Sequence, residues 1–401
     1  MKQIQQFGRK IFFSLSAVVS VFIIIQLCFR LGHFDYPADD FKTYFWNNAN
    51  NIQEINYPFQ TLDGEKFLAD GNIERFGYTP PLYTYLVAAI IKLGGGLSAI
   101  FWVNVFLLAF TISIAAKIFK LITQNKLIIY LSLWILILNP LFINIPRLYL
   151  SESLFSFLTI SALYMFVVMQ ITKTWLPYII ALVLLFASIE TRTINLYLIP
   201  LIAIFFLFVK QGIFQKIFLT LISFAVFFIL ISSTSNYNST YLRRTVADGL
   251  SRFEGNPVAD KLYNSVRPHQ ENWKATFNDE LITQVKNNPI DFCNLYITKF
   301  VKAWYGTDSG DGELLIFLFQ IIHLWAFVIL LILFLIRKLR DPKIFILLLV
   351  ILYTSIIATG TLSICRYMSP IVPLYVFCTV WVVGWFYDKL SFQPKHDVNM
   401  Q

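Results

Sequence analysis

Apolar runs long enough to cross a lipid bilayer constrain the fold of this chain more than any other sequence feature. Of its 401 residues 57% are hydrophobic and only 14% are charged. A hydrocarbon core of roughly 30 Å needs about 20 residues of α-helix, and backbone groups in lipid must be hydrogen bonded within helices or a closed barrel. The runs are continuous and rich in Leu, Ile and Phe, whereas barrel strands alternate. The sequence predicts an all-α polytopic membrane protein with about 10–11 transmembrane helices.

Two long polar stretches divide these runs, and we predict that both form large outer loops. The predicted order is an N-terminal membrane anchor at 1–29, a first outer loop at 30–79, transmembrane helices at 80–232, a second outer loop at 233–313, and C-terminal transmembrane helices with a cytoplasmic tail at 314–401. The anchor follows Lys2, Arg9 and Lys10 without a small-residue cleavage site after it, which favours an uncleaved anchor over a signal peptide.

The basic residues set the predicted orientation. The net charge of +9 gathers in short linkers between apolar runs, and "RKLRDPK" at 337–343 is the most basic short linker. The positive-inside rule places that linker, and with it both chain termini, in the cytoplasm, and puts both polar stretches outside. An odd number of crossings is then required between residues 80 and 119, although "GGG" at 94–96 splits that segment. We predict a short, partly inserted helix at 80–93.

Unusual polar residues collect at the predicted outer ends of the apolar runs. An ionisable residue at the centre of a spanning helix costs about 2.5–3.5 kcal/mol, so such residues need partners or a wet cavity. A shared cavity would supply both, and the alternative is that each residue sits singly at the membrane interface. Asp39 and Asp40 have two further alternatives, as solvated loop acids or as helix N-cap residues. The candidate site residues are Asp39, Asp40, Tyr44, Arg75, Tyr78, Arg147, Glu152, Glu190, Arg192, Arg366 and Tyr367.

Metal chemistry has little support in the sequence. The four cysteines show no CxxC spacing and the four histidines are scattered, so neither a zinc site nor a disulfide framework is indicated. His323 lies inside an apolar run, where packing or an interhelical hydrogen bond is the commoner role. We predict no cofactor and no metal site, and one Asp pair leaves a divalent metal open.

Segments spread along almost the whole chain carry a resemblance to a known family. They are, in order, "YPADDFKTY", "YTPPLYTYLVA", "NPLFINIPRLYLSESLF", "ETRTINLYLIP", "VKNNPIDFCNLYITKFVKAWYG" and "CRYMSPIVPLY". In order and spacing they resemble the landmarks of polyprenyl-phosphate-dependent glycosyltransferases of the GT-C fold, nearest to the protein mannosyltransferase and aminoarabinose transferase group. The resemblance implies an acidic catalytic base in the first outer loop, basic residues that hold the lipid phosphate, and inversion at the anomeric carbon.

The base is assigned within the acidic pair by this resemblance. Asp40 fits the family's Asp-x-x-x-Tyr spacing with Tyr44 better than Asp39 does, while the chain has Asp-Asp where the family commonly has Asp-Glu. Arg192 and Arg366 are the first candidates for the phosphate, followed by Arg75 and Arg147. For Arg366 an outer-interface anchor beside Tyr367 is an equal alternative.

The predicted function is transfer of a sugar from a polyprenyl-phosphate donor to a glycan, lipid or protein acceptor at the outer face of a bacterial cytoplasmic membrane. The predicted partners are this donor, the acceptor and membrane lipids, with no nucleic acid. A lipid-linked saccharide flippase or transporter and an oligosaccharide polymerase or ligase are the alternatives. Residues 289–305 set apolar positions against Lys299 and Lys302, the pattern of an interfacial helix that either steers the donor or anchors the loop.

Overall fold

The computed structural model describes residues 10–33, 38, 41–46, 49–50, 81–202, 213–266, 273–307, 312–336 and 341–391. Every regular element in these ranges is helical, which confirms the predicted all-α class. The α-helices are α1 (Leu15–Leu31), α2 (Pro81–Lys92), α3 (Leu97–Ile122), α4 (Lys126–Leu138), α5 (Pro140–Asn144), α6 (Glu152–Thr172), α7 (Leu176–Ile189), α8 (Ile213–Ser251), α9 (Pro257–Ser265), α10 (Trp273–Asn287), α11 (Pro289–Tyr305), α12 (Glu313–Leu335), α13 (Pro342–Gly360) and α14 (Val372–Ser391).

Five of the described helices, α3, α6, α12, α13 and α14, are long and apolar enough to cross a membrane. A sixth span results if α4 is joined to the segment that begins at Pro140, across a bend of 50°. The bend has a local cause, because Asn139 precedes a proline, adopts extended backbone and caps the next helix by accepting a hydrogen bond from the Leu141 N–H at 3.0 Å. The sequence predicts 10–11 transmembrane helices, and the described structure also contains five shorter apolar helices of 10–17 residues.

A short helix forms at the start of the divided apolar segment, as the sequence predicts. Helix α2 has 12 residues and is therefore about 18 Å long, well short of the hydrocarbon thickness. It ends where Gly94 takes a φ of 82°, in the left-handed region that favours glycine. The Gly94 and Gly95 N–H groups donate to the carbonyls of Ile91 and Ile90, so the chain turns directly into α3. The number of crossings in this segment stays a prediction.

Helix α8 continues through the boundary predicted at residue 232. Its 39 residues extend about 58 Å, from an apolar first half into a polar second half. Residues 243–266 and 273–305, which comprise the end of α8 with α9, α10 and α11, form a small helical unit that we call the cap. The cap has its own apolar core, which includes Val246, Leu250, Val258, Leu262, Trp273 and Leu295. The residue ranges predicted for the loops and anchor stay predictions.

The main core lies among the long helices, where α6 packs against α3 and α7, and α14 packs against α4 and α12. Aromatic rings fill it, as in the stacked pair of Phe119 and Phe377, whose centroids are 4.3 Å apart. His323 of α12 hydrogen bonds through Nδ1 to Thr379 Oγ1 of α14 at 2.7 Å. This contact is the interhelical role that the sequence favours for His323.

Candidate functional site

A buried carboxylate, Glu152, contacts two arginines from distant parts of the chain. Glu152 is the first residue of α6 and is only 2% exposed. Its Oε1 lies 3.0 Å from Arg192 Nη2 and 3.2 Å from Arg366 Nε. The Arg192 guanidinium also lies over the ring of Tyr367, 5.3 Å from the centroid. The structure therefore brings together four of the predicted site residues, and we call them the Glu152 cluster.

The turn that carries Arg192 is fixed by a buried asparagine. Arg192 follows α7 and precedes a 3-10 turn at Thr193–Tyr197. Within that turn Asn195 Nδ2 donates to Thr159 Oγ1 at 2.8 Å and to Ser188 Oγ at 2.9 Å. Because Thr159 belongs to α6, these bonds hold the Arg192 turn against the helix that begins at Glu152.

The Arg366 segment is held against α6 in a similar way. Arg366 lies between α13 and α14, in a 3-10 turn at Cys365–Tyr367. Ser369 Oγ donates to the Arg366 carbonyl at 2.6 Å, and Ser156 Oγ of α6 donates to the Pro370 carbonyl at 3.1 Å. Two hydroxyl groups therefore fix the backbone that presents Arg366 to Glu152.

A third polar set holds the turn that leads into Glu152. Tyr149 has a φ of 59°, a left-handed conformation that costs a non-glycine residue about 1–3 kcal/mol. The buried Tyr83 hydroxyl donates to the Tyr149 carbonyl at 2.6 Å and accepts from Asn104 Nδ2 at 3.0 Å. Arg30 Nη1 donates to the Tyr149 hydroxyl at 3.2 Å. The sequence prediction missed Tyr83 and Asn104, and the one available signal was an asparagine inside an apolar span.

The Glu152 cluster joins two guanidinium groups to one carboxylate, so these three charges sum to one positive charge. Arg192 is 12% exposed and Arg366 is 22% exposed. Glu152 Oε2 and Arg192 Nη1 are buried and make no hydrogen bond within the described part of the chain. A partly buried arginine with an unused donor is suited to charge-assisted hydrogen bonds with an anion such as a phosphate.

Two other predicted site residues lie outside this ion-pair set. Arg147 Nη1 donates to Asn144 Oδ1 at 2.7 Å, and its guanidinium lies 4.8 Å from the ring centroid of Phe29. Glu190 follows α7 and is half-buried, and burial raises the pKa of its carboxyl group. The Glu190 carbonyl accepts from the Leu82 N–H at 2.9 Å, which ties α2 to this end of α7.

The acidic pair of the first polar stretch lies outside the described residues, as do Arg75, Tyr78 and the side chain of Tyr44. The residues on either side of the pair are described. The Ala38 N–H donates to the Leu148 carbonyl at 3.3 Å, and the Phe41 ring centroid is 5.6 Å from that of Tyr149. The flanking residues of Asp39 and Asp40 thus contact the turn that leads into Glu152.

In the described ranges no group of three or more His, Cys, Asp or Glu side chains could hold a metal ion. The assignment of roles to the predicted site residues stays a prediction.

Comparison with known proteins gives a fold but no sequence family. No family model matches the chain, and no curated protein matches it in sequence. Among solved structures it is similar to the archaeal oligosaccharyltransferase AglB from Archaeoglobus fulgidus, solved in complex with an inhibitory peptide and a dolichol-phosphate. The TM-score is 0.53 at 13% sequence identity, over 94% of this chain and 51% of AglB.

The fold defines the class of this protein. This chain is a polytopic helical membrane protein with the GT-C fold that the sequence resemblance predicts. It spans about half the length of AglB.

Proposed function

We propose that this protein is a membrane glycosyltransferase that moves a sugar from a polyprenyl-phosphate carrier to an acceptor hydroxyl at the outer face of the cytoplasmic membrane. The observation that carries the proposal is the Glu152 cluster, in which Glu152 contacts Arg192 and Arg366 at one end of a GT-C bundle. AglB is an oligosaccharyltransferase solved with a dolichol-phosphate. A lipid phosphate of the same chemical class would be the leaving group here.

The chemistry needs one base and fixed positive charge. In the proposed reaction Asp40, or Asp39 beside it, takes the proton of the acceptor hydroxyl. The acceptor oxygen bonds to the anomeric carbon from the face opposite the phosphate, and the bond from that carbon to the phosphate oxygen breaks, which inverts the centre. The electron pair stays on the departing polyprenyl phosphate. A positioned general base contributes about 100- to 10,000-fold to such a step.

The proposed role of Arg192 and Arg366 is to hold the departing phosphate. Both reach the same end of the bundle, and Arg192 Nη1 has an unused hydrogen. Glu152 would orient the two guanidinium groups through Oε1, and the Tyr367 ring would hold the Arg192 guanidinium that lies over it. Tyr44, Arg75, Tyr78, Arg147 and Glu190 are proposed as further substrate contacts around this centre. No metal is required by this scheme.

The test is transfer by purified protein in proteoliposomes, with defined radiolabelled polyprenyl-phosphate sugars and candidate glycan, lipid and peptide acceptors. We expect Asp40→Asn to lower transfer by at least about 100-fold. Arg192→Gln and Arg366→Gln should each lower it by about 10- to 1,000-fold, with the larger effects expected if the arginine stabilises the transition state. Lys286→Met, at an exposed cap residue, is the matched control.

Two outcomes would overturn the proposal. Wild-type transfer rates in both Asp39→Asn and Asp40→Asn would remove the base assignment. Movement of lipid-linked sugar across the bilayer without any transfer would instead support a flippase.

A further inference from the structure

A lysine of the cap is buried without a carboxylate partner in the described structure. Lys299 lies on α11, where the sequence pattern places it on a polar face, but it is only 1% exposed. Its Nζ lies 5.7 Å from the ring centroid of Phe253 and 5.9 Å from that of Tyr296. A buried ammonium group is costly unless it is paired or hydrogen bonded, so the hydrogen bond that Lys299 makes within the described residues matters.

That hydrogen bond reaches the end of a membrane helix. Lys299 Nζ donates to the Thr361 carbonyl at 3.3 Å. Thr361 is the C-terminal residue that follows α13, where the helix dipole places partial negative charge on the last carbonyls. Because a cation is favoured at a helix C-terminus, this dipole explains why a buried ammonium group is tolerated beside Thr361.

Two further contacts bind the cap to the same segment. A Cβ atom on Gly249 of α8 would lie 1.8 Å from the Thr361 carbonyl oxygen, so only glycine allows this close approach. Just past α11, the Gly306 carbonyl accepts a hydrogen bond from the Cys365 N–H at 2.8 Å. Cap residues therefore hold the chain at Thr361 and at Cys365, immediately before Arg366 pairs with Glu152.

We propose that Lys299 is a positioning residue that couples the cap to Arg366, so that the cap sets the geometry of the phosphate-binding arginine. The role in catalysis rests on the proposed function, whereas the coupling itself does not. In its absence the segment from Thr361 to Cys365 loses the charged hydrogen bond that Lys299 makes to the Thr361 carbonyl. Ser363 of this segment has a φ of 55°, a conformation that persists only while the surrounding contacts impose it.

The coupling can be measured without any substrate. Cys365 is 4% exposed and is not disulfide bonded, so its rate of alkylation reports local opening beside Arg366. In protein that carries Cys28→Ser and Cys293→Ser, which remove the two exposed thiols, mass spectrometry measures alkylation of Cys365. We expect Lys299→Met to raise the rate roughly tenfold, the effect of losing one charge-assisted hydrogen bond.

Two comparison variants make this result specific. Gly249→Ala acts on the same carbonyl from another cap helix, so it should also raise the alkylation rate. Lys286→Met removes an exposed cap lysine and should leave the rate unchanged. An unchanged rate in Lys299→Met, or an equal rise in Lys286→Met, would overturn the coupling whether or not the protein transfers sugar.

A double-mutant cycle on sugar transfer tests the link to Arg366. If Lys299 acts through Arg366, Lys299→Met should lower transfer about tenfold in the wild type and have little further effect in Arg366→Gln. In Arg147→Gln its effect should persist undiminished, because Arg147 contacts Asn144 and Phe29 instead. Equal losses in all three backgrounds would overturn the positioning role. Absence of transfer by the wild type would overturn the proposed function and leave the alkylation result standing.

Discussion

Glu152→Gln removes the carboxylate that both arginines of the Glu152 cluster contact. The amide keeps the shape of the side chain but leaves two guanidinium groups beside each other in a site where Glu152 is 2% exposed. Breaking a buried ion pair from one side costs about 3–5 kcal/mol. The arginines are 12% and 22% exposed, so water retains some access and we expect the lower end, about 3 kcal/mol.

Thermal unfolding of the purified protein measures this loss. An unfolding entropy of about 2.1 cal/mol/K per residue gives, for 401 residues, about 1.2 °C per kcal/mol, so Tm should fall by about 4 °C. Glu190→Gln is the matched control, since Glu190 lies at the same end of the bundle and is half-buried. Its Tm should equal or slightly exceed that of wild type, because the amide removes a half-buried charge. A Glu152→Gln protein as stable as Glu190→Gln would refute the view that Glu152 holds the arginines.

Three further predictions concern groups around the site. Burial lowers the pKa of Lys299 from 10.5 to about 8, so the folded chain releases this proton before the unfolded chain does. The stability of the wild type relative to Lys299→Met should therefore rise between about pH 8 and 10.5, as measured by thermal unfolding across that pH range. Burial raises the pKa of Glu190, so the stability contributed by this carboxyl group is fully present below pH 4.5 and is lost as pH rises through the folded-state pKa. Glu190→Gln should therefore be as stable as wild type at low pH and more stable than wild type at higher pH. Tyr83→Phe removes the partner that the Tyr149 carbonyl and the Asn104 amide share, which should cost about 1–3 kcal/mol, while Tyr387→Phe, at a 72% exposed residue, should cost far less; urea or thermal unfolding distinguishes them.

The sequence was sufficient to predict the fold class and the members of the Glu152 cluster. Apolar runs of spanning length predict helices because the lipid core satisfies no backbone group. Glu152, Arg192 and Arg366 were noticeable because a charge beside an apolar run is costly without a partner. Their three-way contact could not be predicted, because no periodicity links residues 152, 192 and 366 across separate helices.

The residues that hold the cluster in place were harder to predict. Asn195 and Tyr83 hydrogen bond to hydroxyl groups and to a backbone carbonyl, which occur throughout any sequence. The spacing of the bonded residues along the chain therefore shows no recognisable pattern. Lys299 was assigned to a polar helix face because residues 289–305 alternate apolar positions with Lys299 and Lys302 in the pattern of an interfacial helix. Its partner is the Thr361 carbonyl at the end of α13, and helix ends bind cations through backbone dipoles that leave no mark on residue type.

In the proposed reaction the net charge of the Glu152 cluster matches that of the bound donor, so tighter binding of the departing phosphate needs a further hydrogen-bond donor. A sugar linked to a polyprenyl phosphate is a phosphodiester with one negative charge, and cleavage adds charge, to about −1.5 to −2 at pH 7 for the monoester that departs. The two arginines and the carboxylate have a net charge of +1, which balances the single negative charge of the bound donor. In the proposed reaction the charge that develops on cleavage would be met by Arg192 Nη1, a donor with no hydrogen bond in the described structure. An interaction that strengthens as the bond breaks lowers the barrier, whereas one already complete in the donor complex would not. Glu152 would therefore do more than fix two side chains, since it would keep the cluster from binding the donor as tightly as the departing phosphate.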